Sequence, residues 1–248
     1  MAGKYGRTFK RKSAKKSYNK KTSAKKLVRQ DRTKKLVKLI KSVSLKQAET
    51  CYRTIKNQSF AMNHNVIKEV IPLWYPGMPA GHTMFPSQGN TDGNRRGDEI
   101  LCMGMRFRCQ LNVPFDRRNS RFRFYFVQWN AQQGNPSVRT DLLHDVTGSI
   151  LLDPVQTDRW KGRLHYMGTY SVSSRDLRQT ADHSTILINR WIPMKKKINF
   201  INDGNEMPAN LTEFGHIICL PYAYTGALST DVIAENCQCT ITLYYKDP

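Results

Sequence analysis

Arg121-Phe122-Arg123-Phe124-Tyr125-Phe126-Val127-Gln128-Trp129 is the stretch whose reading decides the fold. Successive side chains of an extended backbone leave on opposite faces, so a residue type repeating every second position marks a half-buried strand. Phe122, Phe124 and Phe126 point inward, and Arg121, Arg123 and Tyr125 point the other way. The preceding stretch repeats the device. Met105, Phe107, Cys109, Leu111 and Val113 share one face, with Arg106, Arg108, Gln110 and Asn112 on the other. At the far end of the chain Cys239, Ile241, Leu243 and Tyr245 alternate with Thr240, Thr242 and Tyr244.

Working outward, the same texture predicts strands over Cys51–Ser59, Gly162–Val172, Ser184–Ile192, Phe214–Tyr224 and Cys237–Lys246. A shorter one at Ile150–Leu152 is ended by Asp153-Pro154. Between the strands lie turn-rich segments: Pro72–Gly97, with four prolines and five glycines, then Asn130–Pro136 and Asp203–Asn210. The only helical pattern is a short stripe, Leu36, Val37, Ile40 and Val43, with Lys34, Lys35, Lys38 and Lys41 around it. About eight strands with long loops and no crossover helices predict an all-β chain, a sandwich or jelly roll.

Charge divides the 248 residues in two. The net charge is +21, but residues 1–46 hold eighteen Lys/Arg and one acid, Asp31, for +17. Residues 47–248 carry only +4. The sequence therefore predicts a basic arm over 1–46 and a β-domain over 47–248. The arm lacks the apolar residues needed to offset its chain entropy, so its first part is expected to be disordered alone. Lys4, Arg7, Lys10, Arg11, Lys12, Lys15, Lys16, Lys20, Lys21, Lys25, Lys26 and Arg29 are candidate phosphate contacts, acting by counterion release and needing no base code. Tyr5, Phe9 and Tyr18 are interleaved for stacking. Lys10, Arg11, Lys12, Lys15 and Lys16 also form a nuclear-localisation candidate. A basic amphipathic helix on an anionic membrane is the competing reading of the later stripe. In the body, the rows Arg106/Arg108 and Arg121/Arg123 are candidate phosphate contacts, with Tyr125 and Trp129 on the face of the second row as stacking platforms; arginines that merely keep a strand soluble are the plain alternative.

Several classes are excluded by pattern. No apolar run approaches the ~20 residues of a membrane span; Ile217-Ile218-Cys219-Leu220 is among the longest. The basic start has no apolar core of a secretory signal. Six cysteines are too few for a disulfide scaffold. Cys237-Gln-Cys239 reads as inward packing, Cys102 and Cys109 as opposite faces of one strand, and Cys51 and Cys219 as small core residues. The six histidines lack metal-ligand spacing, and no catalytic motif is present. Asp98-Glu99 is at most an interface cation site. No enzyme, cofactor or metal is expected.

In this order the basic arm, Gly-Asp-Glu-Ile opening Gly97–Val113, Arg121–Trp129, Leu-Leu-Asp-Pro and the terminal Leu-Tyr-Tyr-Lys-Asp-Pro resemble the capsid proteins of small circular Rep-encoding single-stranded DNA viruses, the circovirus-like and related groups. The resemblance implies an eight-stranded jelly roll and a homo-oligomeric icosahedral T=1 shell of about 60 copies. It implies an arm laid on a single-stranded DNA genome, host nuclear import machinery as partner, a host cell-surface receptor that no residue here identifies, and residence in the virion and the host nucleus. On that order Cys51–Ser59, Gly97–Val113 and Arg121–Trp129 become the first three strands and Cys237–Lys246 the last. Consecutive strands on different sheets then prevent the two arginine rows from sharing a surface, so at most one faces the genome, and Arg121/Arg123 is the favoured row. A capsid of a small RNA or satellite virus, and a cellular basic-tailed nucleic-acid-binding β-domain, remain the alternatives.

Overall fold

The computed structural model describes residues 31–40, 43, 48–75, 78, 83–91, 93–117, 119–130, 143, 148–153, 155, 164–173, 183–200, 213–225 and 228–247. The candidate arm residues from Lys4 to Arg29 lie outside them. The chain divides into two units, 1–48 and 49–248. In the first, residues 31–40 and 43 are helical and exposed, Leu36 and Ile40 included.

The second unit is built from eight strands: β1 Thr50–Asn63, β2 Lys68–Trp74, β3 Glu99–Pro114, β4 Ser120–Asn130, β5 Leu164–Ser171, β6 His183–Asn199, β7 Glu213–Ala223 and β8 Val232–Lys246. They form two antiparallel sheets of four, in the orders β1-β8-β3-β6 and β2-β7-β4-β5. The first four strands alternate between the sheets, and the last four return beside them so that β1 meets β8 and β2 meets β7. This is the eight-stranded jelly roll.

The alternation read from the sequence places the core between the sheets. Phe107 of β3 and Phe124 of β4 meet with ring centroids 5.9 Å apart, and Trp74 of β2 lies 6.0 Å from Phe126. Phe107, Phe122, Phe124 and Phe126 are fully buried, each contributing about 1.5–3 kcal/mol of apolar burial relative to exposure. At Gly215 a Cβ would sit 2.4 Å from the Trp74 ring, so β7 can pass this indole only with no side chain.

Four expectations are corrected. Gly97–Val113 belongs to the third strand and Arg121–Trp129 to the fourth, because Lys68–Trp74 intervenes as β2. Pro72 sits inside that strand, which is tolerated because β2 is an edge of its sheet. Ile150–Leu152 is a turn, not a strand. Cys102 and Cys109 both face the core, because a register shift between Cys102 and Gly104 reverses the alternation. Cys237 and Cys239 pack inward as expected, and all six cysteines are free thiols. Burial pushes the Cys102 and Cys239 thiols up to about 12.

Candidate nucleic-acid interface

Each sheet turns a second face away from the core, and each of these carries one of the two arginine rows. The outer face of β2-β7-β4-β5 carries Arg121 and Arg123. It is covered. Leu143, Ile150 and Leu151, from the connection between β4 and β5, join Ile67 over Tyr125, Val127, Ile218 and Leu220 in a second apolar cluster. One side chain ties this cover down. Asn65, in the turn after β1 with φ of 57°, donates from Nδ2 to the Gly148 carbonyl at 2.8 Å, and its Oδ1 accepts the Ile150 N–H at 2.8 Å. Asparagine tolerates this left-handed conformation and supplies both a donor and an acceptor.

Tyr125 is therefore corrected as a stacking platform. It does lie on the face opposite the phenylalanines, but it is only 7% exposed, and desolvation raises its phenol above the ordinary value. Arg123, half-buried, lies beside it and favours its ionised form, the smaller effect. Arg121 is exposed, its guanidinium 5.2 Å from the Tyr224 ring centroid. At the rim of the same face, His64 Nδ1 accepts the Ala223 N–H at 3.0 Å. Desolvation lowers the His64 pKa, and the bond requires Nδ1 to carry no proton.

Among the described residues the outer face of β1-β8-β3-β6 is open. Register places Thr54, Thr242, Arg106 and Trp191 in one cross-strand row and Lys56, Thr240, Arg108 and Asn189 in the next. One step the other way, Tyr52 opposes Tyr244, and Tyr244 opposes Gly104. Tyr52 is 64% and Trp191 49% exposed. Arg106 Nε donates to Asn189 Oδ1 at 3.0 Å, and with Trp191 and Tyr244 these residues line a shallow depression. Two other arginines near the rows are engaged elsewhere: Arg95 is fully buried over the Phe200 ring, and Arg117 contacts Asp116 and Asp231. Asp98 is bonded to Arg95, and Glu99 is paired with Lys197. Among the described residues there is no group of three or more His, Cys, Asp or Glu that could hold a metal ion, and no helix is long and apolar enough to cross a membrane.

No family model and no curated protein matches the sequence. Solved structures match in shape at low similarity. The VP2 subviral particle of infectious bursal disease virus aligns over 79% of this chain and 33% of its own, with TM-score 0.32 and 7% identity. Desmodium yellow mottle tymovirus aligns over 81% of this chain and 89% of its own, with TM-score 0.29 and 7% identity. A semi-empty VLP of Macrobrachium rosenbergii nodavirus aligns over 81% and 96%, with TM-score 0.29 and 8% identity. The chain spans about a third of the VP2 chain's length.

Tyr52, Lys56 and Trp191 neighbour Arg106 and Arg108 without any signal in the sequence, since cross-strand neighbours emerge only once register is known. The cover over Tyr125 did have a signal. Ile217-Ile218-Cys219-Leu220 is an unbroken apolar run within β7, and all four residues are buried. A strand that is apolar on consecutive positions is buried on both faces.

Proposed function

We propose that this chain is a viral capsid protein. The observation that carries the reading is a jelly-roll strand order in a chain whose first 46 residues bear +17. Jelly rolls also serve lectins and cupins, but those uses give no role to a polycationic arm. In this reading about 60 copies close an icosahedral shell, the closed symmetry that identical subunits favour. Their arms supply on the order of a thousand positive charges to neutralise phosphates of a packaged genome. The genome is proposed to be single-stranded DNA, with RNA the alternative, because arm binding is backbone-driven and ignores the 2′-hydroxyl. The cluster Lys10, Arg11, Lys12, Lys15 and Lys16 is proposed to engage nuclear import, placing the protein in the virion and the host nucleus.

Electron microscopy of the expressed chain is the test, and spherical particles are expected. Monomers at every salt and pH would overturn the capsid reading. Deleting residues 1–40 is expected to leave particles with a lower A260/A280; an unchanged ratio removes the arm from packaging. Nuclease typing of nucleic acid from native virions separates DNA from RNA.

A further inference from the structure

We propose that the open outer face of the β1-β8-β3-β6 sheet is a second nucleic-acid site, one that stacks the bases of a single strand on Tyr52, Tyr244 and Trp191 while Arg106, Arg108 and Lys56 meet its phosphates. The inference rests on the reading that this chain packages a nucleic acid, and adds to it a contact made by the folded body.

The geometry supplies both halves of such a site. Tyr52 on β1 and Tyr244 on β8 oppose each other, Gly104 of β3 adds no side chain between, and Trp191 reaches in from β6 with its ring centroid 5.5 Å from that of Tyr244. A Cβ at Gly104 would lie 2.4 Å from Trp191 Cζ2, so the missing side chain lets the indole lie across the strand. An indole over a strand glycine also protects the backbone, which is the plain structural reading. That reading leaves Trp191 49% exposed without explanation, and Tyr52 more so. Aromatic rings on a four-stranded sheet are a known platform for unpaired bases, each stack contributing about 1–3 kcal/mol.

The charges choose the occupant. Arg106 stands one pleat from the aromatic row, and Arg108 and Lys56 stand two pleats away, about 7 and 13 Å along the strands. The two rows that hold these cations contain no carboxylate. Among the described residues Arg106, Arg108 and Lys56 form no ion pair, unlike Arg117 and Lys197. A second copy docking through the same face would bring like charges together, whereas a polyanion is complementary. Stacking is far less sensitive to salt than backbone neutralisation, so the aromatic share of this face persists at salt that screens the arm.

The test uses the full chain and an oligo(dT) 20-mer carrying 5-iododeoxyuridine. Irradiation is expected to crosslink peptides containing Tyr52, Trp191 or Tyr244. The double variant Trp191→Ala, Tyr244→Ala is expected to weaken binding about tenfold or more in about 1 M salt, where the arm's contribution is screened, with its melting temperature near that of the parent. Should that variant fail to fold, Arg106→Gln with Arg108→Gln is expected to flatten the salt dependence by about 1.4 in the log–log slope. Crosslinks confined to residues 1–46, or variants that bind as the parent does, overturn the proposal and leave the arm reading standing. Loss of particles with oligonucleotide affinity intact assigns the face to a second copy and overturns it too. Failure of the parent chain to form particles strikes the capsid reading alone, because affinity is measured on soluble chain.

Discussion

The two sheets are equally wide and share one core, yet their outer faces are built in opposite ways. Over β2-β7-β4-β5, Leu143, Ile150 and Leu151 close on Tyr125 and Ile218, and Asn65 fastens the cover through two backbone bonds. Over β1-β8-β3-β6, Tyr52, Trp191 and Leu187 stand 64%, 49% and 75% exposed. The arginine row that looked best placed for a ligand, beside Tyr125, is the one whose neighbouring tyrosine went under cover. Alternation shows which side chains leave the core. It does not show whether another segment meets them outside, which depends on what a distant loop carries.

Truncating the two faces should break this comparison most forcefully if it is wrong. Ile150→Ala and Leu151→Ala are each expected to cost about 2–5 kcal/mol, as buried aliphatic truncations do. Leu187→Ala on the open face is expected to stay within about 0.5 kcal/mol. Denaturant melts of the three variants measure the contrast, and equal costs would erase it.

A smaller effect isolates the fastening. Asn65→Gly keeps the left-handed backbone and removes both side-chain bonds, for an expected loss of about 1–3 kcal/mol. Limited proteolysis should then cut faster within 148–155. Cleavage at the parent rate would mean that apolar packing alone holds the cover.

The smallest effect is one of pH. His64 is held neutral in the fold, its pKa below the unfolded value by burial, so its contribution to stability is present above about pH 6.5 and is lost as pH falls through the lower folded value. Melting temperatures between about pH 7.5 and 5 should decline less steeply for His64→Gln than for the parent. An identical slope would remove His64 from the acid response.

Much of this was legible in the residues. β4 and the regular stretches of β3 and β8 follow from strict alternation, and the all-β class with them. β2 was hidden because Val70, Ile71, Leu73 and Trp74 all join the core, register shifts interrupting the alternation, and because Pro72 resembles the start of a loop. The inward turn of both Cys102 and Cys109 was hidden for the same reason. Arg106 and Arg108 were visible as an outward row, but their pairing with Lys56 and Trp191 rests on residues far apart in sequence. Lys4 to Arg29 were legible only as charge and composition.

The pairing of β1 with β8 also orders events in time. Thr54 and Thr242, bonded hydroxyl to hydroxyl, are 188 residues apart in sequence. β4 and β5 can meet early, but among the described residues β1 pairs with β8, the last of the eight strands in chain order. Closing so long a loop comes late in folding. A ribosome releases the +17 segment well before the strand attached to it has a partner. The growing chain must therefore keep Thr50–Asn63 from pairing elsewhere until Val232–Lys246 emerges.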